Sequence, residues 1–273
     1  MKKIIIILVC YLVCFNLYAC SDNGSQKAYI EEVDDETVIN NMTIKKHIIT
    51  AEYQKEEGVF AYPSYSYLNA LIKFPQVSNM KDISTQEKIN KQLKEVAMQS
   101  LNNRSSDETL KLFHDIVNEN NETSEFWGGE IEYKILYVGD KYISLNYEGN
   151  NFFGGANPSH FSNYVTISLN NSELIPFTDY FSKDSVIRDI TSLKFEWIEG
   201  RYTGGYAGNE PEVIDEFVKA LKQLKDVDTE GNIYNSTSTY NFAIDEQFAY
   251  MAIPFDDSLD GYIHLKFNLD SLN

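Results

Sequence analysis

Residues 126–169 read "FWGGEIEYKILYVGDKYISLNYEGNNFFGGANPSHFSNYVTISL", and the fold class turns on them. "FWGGEIEYKILYV" and "YISLNYEG" are apolar-rich runs parted by the turn residues "GDK", which predicts a β-hairpin. The loop "NFFGGANPSH" follows, and "FSNYVTISL" then reads as a further strand. Three β-runs in succession imply an antiparallel sheet with helices packed on one face, since alternating βαβ units would place a helix between strands. The class is therefore α+β, built from antiparallel sheets in two small subdomains.

Upstream, the pattern is strand-like from Thr43 to Tyr53 and from Tyr62 to Phe74. In "YSYLNALIKFP", Tyr65, Tyr67, Asn69 and Leu71 alternate with Ser66, Leu68, Ala70 and Ile72, so one face is aliphatic and the other carries tyrosines. Ser84 and Glu87 form a capping-box pattern, and Ile89, Leu93, Val96 or Ala97, and Leu101 recur at helical spacing, which predicts a helix over 85–101. A second helix starts at Ser106, with Leu110, Phe113 and Val117 on one side.

Downstream, "LIPFTDYF" reads as a short strand leading into a helical turn. Residues 183–199 are expected to form a helix with Val186, Ile190, Leu193 and Trp197 facing inward. Asn209 caps another, in which Pro211 occupies the first turn and Val213, Phe217, Leu221 and Leu224 make the stripe. Strands are expected at 240–245, 247–254 and 262–269. In the last, Ile263, Leu265, Phe267 and Leu269 alternate with Tyr262, His264, Lys266 and Asn268.

The N-terminal "MKKIIIILVCYLVCFNLYAC" pairs two lysines with an apolar run too short for a comfortable membrane span and closes on Ala19, the layout of a secretory signal. "LYAC" is similar to the lipobox of bacterial lipoproteins, although Tyr18 departs from the usual small residue; Cys20 would be the acylated mature N-terminus. Residues 21–40 are acidic and polar with few core anchors, as a solvated tether would be. The expected organisation is a signal over 1–19, an acidic linker over 20–40, an N-terminal α+β subdomain over 41–148 and a C-terminal one over 149–273.

All three cysteines, Cys10, Cys14 and Cys20, fall at this end, so the secreted part holds no thiol for disulfides, metal thiolates or nucleophilic catalysis. The chain carries a net charge of -18, and removing residues 1–19 takes away Lys2 and Lys3 and no acid. Such a surface repels phosphate backbones and excludes nucleic acid as a partner; beyond solubility, it would steer a cationic partner.

No motif of catalysis stands out. The aromatic-x-Gly-Gly elements at 126, 152 and 202 lack the Lys-Ser or Lys-Thr of a P-loop and the third glycine of a dinucleotide fingerprint. "DVDTEGNIYNST" from Asp226 has Asp226, Asp228 and Glu230 at alternate positions as a calcium loop does, but Thr237 stands where the bidentate glutamate belongs. The four histidines, His47, His114, His160 and His264, show no ligand spacing, so no metal or other cofactor is expected. No serine sits in a Gly-x-Ser-x-Gly or Ser-x-x-Lys context. Paired carboxylates such as Glu130 with Glu132, or Asp256 with Asp257, read as solvated faces and turns. The remaining candidates are aromatic: Tyr65 and Tyr67 on one strand face, Phe152, Phe153, Asn157 and His160 on the Gly-Gly loop, and Tyr202 and Tyr206 beside another glycine loop. Core packing competes with binding as their role.

The succession "YPSYSY", "FPQV", "EKIN", then "YKILYVGDKYISLNYEGNNFFGGANPSHFSNYVTISLNNSELIPFTDYF" resembles the two-part extracytoplasmic module of the anti-sigma-V factor, also found beside some peptidoglycan deacetylases. The resemblance covers residues 43–182 and, more loosely, the C-terminal helix and strands. It implies a ligand- or protein-binding ectodomain, with lysozyme recognition in the anti-sigma member. Asn157 stands where that family has histidine after Gly-Gly-Ala, with His160 three residues on. The hydrophobic segment starts at residue 4, so no cytoplasmic inhibitor domain is expected, and the deacetylases' Asp-Asp and His-x-x-x-His metal motifs find no match. The expectation is a lipid-anchored, extracytoplasmic envelope protein without enzymatic activity that binds a cell-wall component (peptidoglycan) or a cationic protein such as a lysozyme-type hydrolase. A hydrolase of envelope glycan or peptide working through paired carboxylates, and a structural accessory of an envelope complex, are the alternatives.

Overall fold

The computed structural model describes residues 26–55, 66–102, 104–118, 127–152, 159–198, 211–224, 241–254 and 262–272. Among the described residues, ten strands lie in two sheets. The first follows chain order: β1 (Gln26–Ile39), β2 (Met42–Lys55), β3 (Ser66–Ser78), β4 (Trp127–Val138), β5 (Tyr142–Phe152) and β6 (Ser159–Ser168). The second is ordered β7 (Glu196–Trp197), β10 (Tyr262–Asn268), β9 (Phe248–Pro254), β8 (Phe242–Ile244).

The β4–β5 hairpin forms as the two apolar runs about "GDK" predict, and β6 pairs antiparallel with β5. One pairing departs from the expected antiparallel sheet: β3 and β4 run parallel, from Leu68 opposite Trp127 to Ile72 opposite Ile131. The connection between them contains α1 (Ile83–Asn102) and α2 (Ser106–Asn118), the long crossover that a parallel pair requires. These helices cover one face. Ile89, Leu93, Val96, Ala97 and Leu101 of α1 are fully buried with Ile72, Phe74, Ile131, Leu145, Tyr147 and Val165 of the sheet.

The residues expected to form an acidic tether are strand from Gln26 onward, paired with β2 along their length. Asn40 and Asn41 close the β1–β2 hairpin with φ of 49° and 64°, the left-handed geometry of a two-residue turn that asparagine tolerates. The boundary expected between 148 and 149 falls inside β5, and β6 also belongs to the first sheet. The second core begins instead at Phe177, in a short 3-10 turn.

That second core lies between the second sheet and the helices α3 (Lys183–Thr191), α4 (Pro211–Gln223) and α5 (Leu269–Leu272). Val213, Phe217 and Leu221 of α4, and Leu224 just past its end, are buried as the stripe predicts. The helix expected over 183–199 stops at Thr191. Lys194 N–H bonds the Asp189 carbonyl and Leu193 N–H that of Ile190, with Leu193 at φ 55°, so a C-capping turn places Leu193 in solvent rather than in the core. Trp197 still packs on this core, but from β7, against Phe217.

The two sheets meet through a polar seam. Ser144 and Thr166 hydroxyls lie 2.9 Å apart, Thr166 Oγ1 donates to the Phe242 carbonyl, and Ile244 N–H donates to Ser144 Oγ. Alongside, Tyr164, Ala243 and Ala252 form a small buried cluster, which is why His264 is buried although strand alternation places it opposite Ile263 and Leu265.

Candidate binding face

The register of β4, β5 and β6 sets out the face of the first sheet turned away from α1. Because side chains alternate, Ile131, Leu145 and Tyr147 point into the helix-covered core and their neighbours point the other way. Three cross-strand rows result: Glu130, Asn150 and His160; Glu132, Glu148 and Ser162; Lys134, Asn146 and Tyr164.

Glu132 and Glu148 are directly opposite one another, a pairing that like charges disfavour. Each carboxylate is held by a different neighbour. Lys73 Nζ on β3 bonds Glu132, while Asn146 Nδ2 donates to Glu148. Ser162 Oγ donates to Asn146 Oδ1 at 3.0 Å, so the amide bridges a hydroxyl and a carboxylate across two strands. The face is thus lined by polar groups fixed by their own network.

Its lower end runs under the second sheet. The Tyr164 ring lies 6.0 Å from that of Tyr250 and 5.6 Å, edge-on, from that of His264. Burial, and then the carboxylate of Glu148, pushes the Tyr164 phenol above the usual range. Tyr250 is raised by burial and by its 2.6 Å hydrogen bond to Asp245 Oδ2. Both phenols therefore stay neutral further into alkaline pH than a solvated tyrosine does.

The expected binding residues divide. Phe152 and His160 are half-buried and share this outer face, Phe152 opposite Gly128 and His160 opposite Asn150. Two of the aromatic-x-Gly-Gly elements consequently meet, since the first phenylalanine of "FFGG" pairs with the first glycine of "FWGG". Tyr67 lies at the start of β3, opposite Gln54 and next to the register position of Trp127. Tyr65, Phe153, Asn157, Tyr202 and Tyr206 fall outside the described residues, as do Cys20, Asp226, Asp228 and Glu230.

Lys73, Asn146, Glu148 and Ser162 were not singled out by sequence, and Glu132 was read, with Glu130, as part of a solvated face. The signal was present in the alternation of Glu130, Glu132 and Lys134 with Ile131 and Tyr133, and of Asn146 and Glu148 with Leu145 and Tyr147. Among the described residues, no three histidine, cysteine or acidic side chains are placed to hold a metal ion. A cavity of about 310 Å³ lies beyond the end of β6, lined by Ser168, Glu173, Asp179 and Tyr180 among others, apart from the three rows.

Residues 64–160, which run from just before β3 to His160, match the family model described as "Deacetylase PdaC". No curated protein matches the chain. Among solved structures, the chain is similar to a member of the DUF3298 family from Bacteroides fragilis, with 13% identity over 90% of this chain and 93% of that one and a TM-score of 0.46. It is also similar to a DUF3298 family protein from Pseudomonas aeruginosa, with 10% identity over 93% and 94% of the two chains and a TM-score of 0.43.

Proposed function

We propose that the chain is a non-catalytic binding module of the cell envelope, anchored through a lipid on Cys20, that recognises a cell-wall component or a cationic protein of the lysozyme type. The observation that carries this reading is the outer face of β4–β6, where Glu132 and Glu148 are engaged by Lys73 and Asn146 and so act as positioned acceptors. A net charge of -18 adds long-range attraction for a cationic partner. Purified protein is tested for binding to lysozyme and to soluble peptidoglycan fragments over a range of salt. Affinity for lysozyme should fall steeply as salt rises, and absence of binding to both at low salt would overturn the proposal.

The deacetylase in the name of the matching family favours one second reading, a hydrolase of envelope glycan. Of the four histidines, no two stand in His-x-x-x-His spacing. Release of acetate from N-acetylated peptidoglycan by the purified protein would support this reading over the first.

A further inference from the structure

The first sheet ends at β1, whose only strand partner among the described residues is β2. Its other edge offers backbone donors and acceptors over a strand of 14 residues, whereas edge strands are ordinarily short or covered. From Ile30 to Val38 every residue is exposed, whichever face it points to. Ile30, Val33 and Val38, at 43, 56 and 64% exposure, are half of the large hydrophobic residues left exposed among the described ones. A bulge at Asp35, with φ 23°, interrupts the edge and leaves Ala28–Asp34 as an unbroken stretch.

The same strand is acidic: Glu31, Glu32, Asp34, Asp35 and Glu36. Lys94 approaches Glu31 at 3.7 Å, Lys46 lies 2.8 Å from Asp34 and 3.3 Å from Asp35, and Lys45 lies 3.6 Å from Glu36, yet each of these carboxylates stays about half exposed or more. With Lys27 on the strand itself, four lysines stand against five acids and leave the edge net acidic.

We propose that the Ala28–Asp34 edge of β1 takes up an extended, lysine- or arginine-bearing segment of a cationic protein as an added strand. This rests on the reading of the chain as a binding module and gives it a second contact surface, at the sheet edge opposite β6. Main-chain hydrogen bonds supply affinity irrespective of sequence. Ile30 and Val33, on opposite faces, supply apolar contact, and the carboxylates select for cationic side chains at alternating positions. A second copy of this chain is the wrong occupant, because pairing two such edges sets acid against acid.

The test uses a synthetic peptide, Val-Lys-Val-Lys-Val-Lys-Val, its counterpart N-methylated at three consecutive central residues so that both strand edges lose donors, and the double variant Glu32→Lys/Val33→Lys. The parent peptide should bind the wild-type protein and perturb amide resonances of 28–34. N-methylation should weaken it at least about tenfold, the effect of losing one or two main-chain hydrogen bonds. The double variant should show a comparable loss with its melting midpoint unchanged. Equal binding by the methylated peptide, or by the variant, overturns the proposal. So does protection from exchange, in the free protein, of those 28–34 amides that point away from β2, which would mean that the chain itself or a second copy already covers the edge. If the wild-type protein binds lysozyme and the variant binds it equally, only the β1 assignment fails; if the wild-type protein binds neither lysozyme nor peptide at low salt, the module reading fails with it.

Discussion

The hydroxyl of Tyr147 donates a 3.0 Å hydrogen bond to the backbone carbonyl of Leu93, tying the middle of β5 to the middle of α1. Both residues are fully buried, so this bond spans the first core from sheet to helix. Tyr147→Phe keeps the ring and removes the donor, and should lower stability by about 1 kcal/mol. Urea unfolding should show an earlier midpoint at unchanged slope. Burial holds the Tyr147 phenol well above its ordinary value. A group raised on folding stabilises the native state below its unfolded pKa, near 10, and loses that contribution as pH rises further, so the variant should lose less stability than wild type in alkali.

Gly149 lies under the ring of Phe161 in β6. A Cβ there would stand inside contact distance of the Glu130 carbonyl oxygen and 2.6 Å from Phe161 Cζ. The carbonyl belongs to the β4–β5 ladder and cannot yield without breaking register. Gly149→Ala should therefore cost about 2–3 kcal/mol. Gly129→Ala should cost less, because its nearest obstacle is the end of the Leu101 side chain. Thermal melting of the two variants side by side checks the order.

Much of this architecture is legible from local patterning. Leu93 and Leu101 in α1, Phe217 and Leu221 in α4, and Ile263 and Leu265 in β10 are buried where periodicity places them. What escapes is set by distant chain. β1 reads as a solvated tether because an edge strand exposed on both faces buries too little to leave an apolar alternation. His264 reads as a solvent-face residue because nothing local reveals that Tyr164 will cover it. The candidate face divides the same way. Phe152 and His160 are reached through their shared loop, whereas Lys73 and Glu132 are 59 residues apart and meet only through the parallel β3–β4 pairing.

The seam between the sheets should behave as a coupled unit. Ser144 Oγ stands between Thr166 Oγ1, at 2.9 Å, and Ile244 N–H, at 3.3 Å, and all three are buried. Removing one hydroxyl leaves the other with an unmet partner, so Ser144→Ala and Thr166→Val should each cost about 1–3 kcal/mol. The double variant should cost less than the sum, with a coupling of about 0.5–2 kcal/mol. A double-mutant cycle by urea unfolding measures it, and strict additivity would show that the two hydroxyls do not act together.

His47 makes stability depend on mild acid. Its ring lies 5.6 Å from that of Phe74 on the helix-covered side of β2. Burial lowers the imidazole below its ordinary value; Glu31 opposes the shift, and Lys94 and Lys45 reinforce it. An imidazole lowered on folding binds fewer protons in the native state than in the unfolded chain. Its contribution is therefore fully present above about pH 6.5 and is lost as pH falls through the folded-state value. His47→Gln removes the titration while keeping a polar side chain of similar reach. Between pH 7.5 and 5.5 the melting midpoint of the wild-type protein should fall more steeply than that of the variant, with the two curves parallel above pH 7. Parallel curves over the whole range would show that the histidine is as well solvated in the fold as in the unfolded chain.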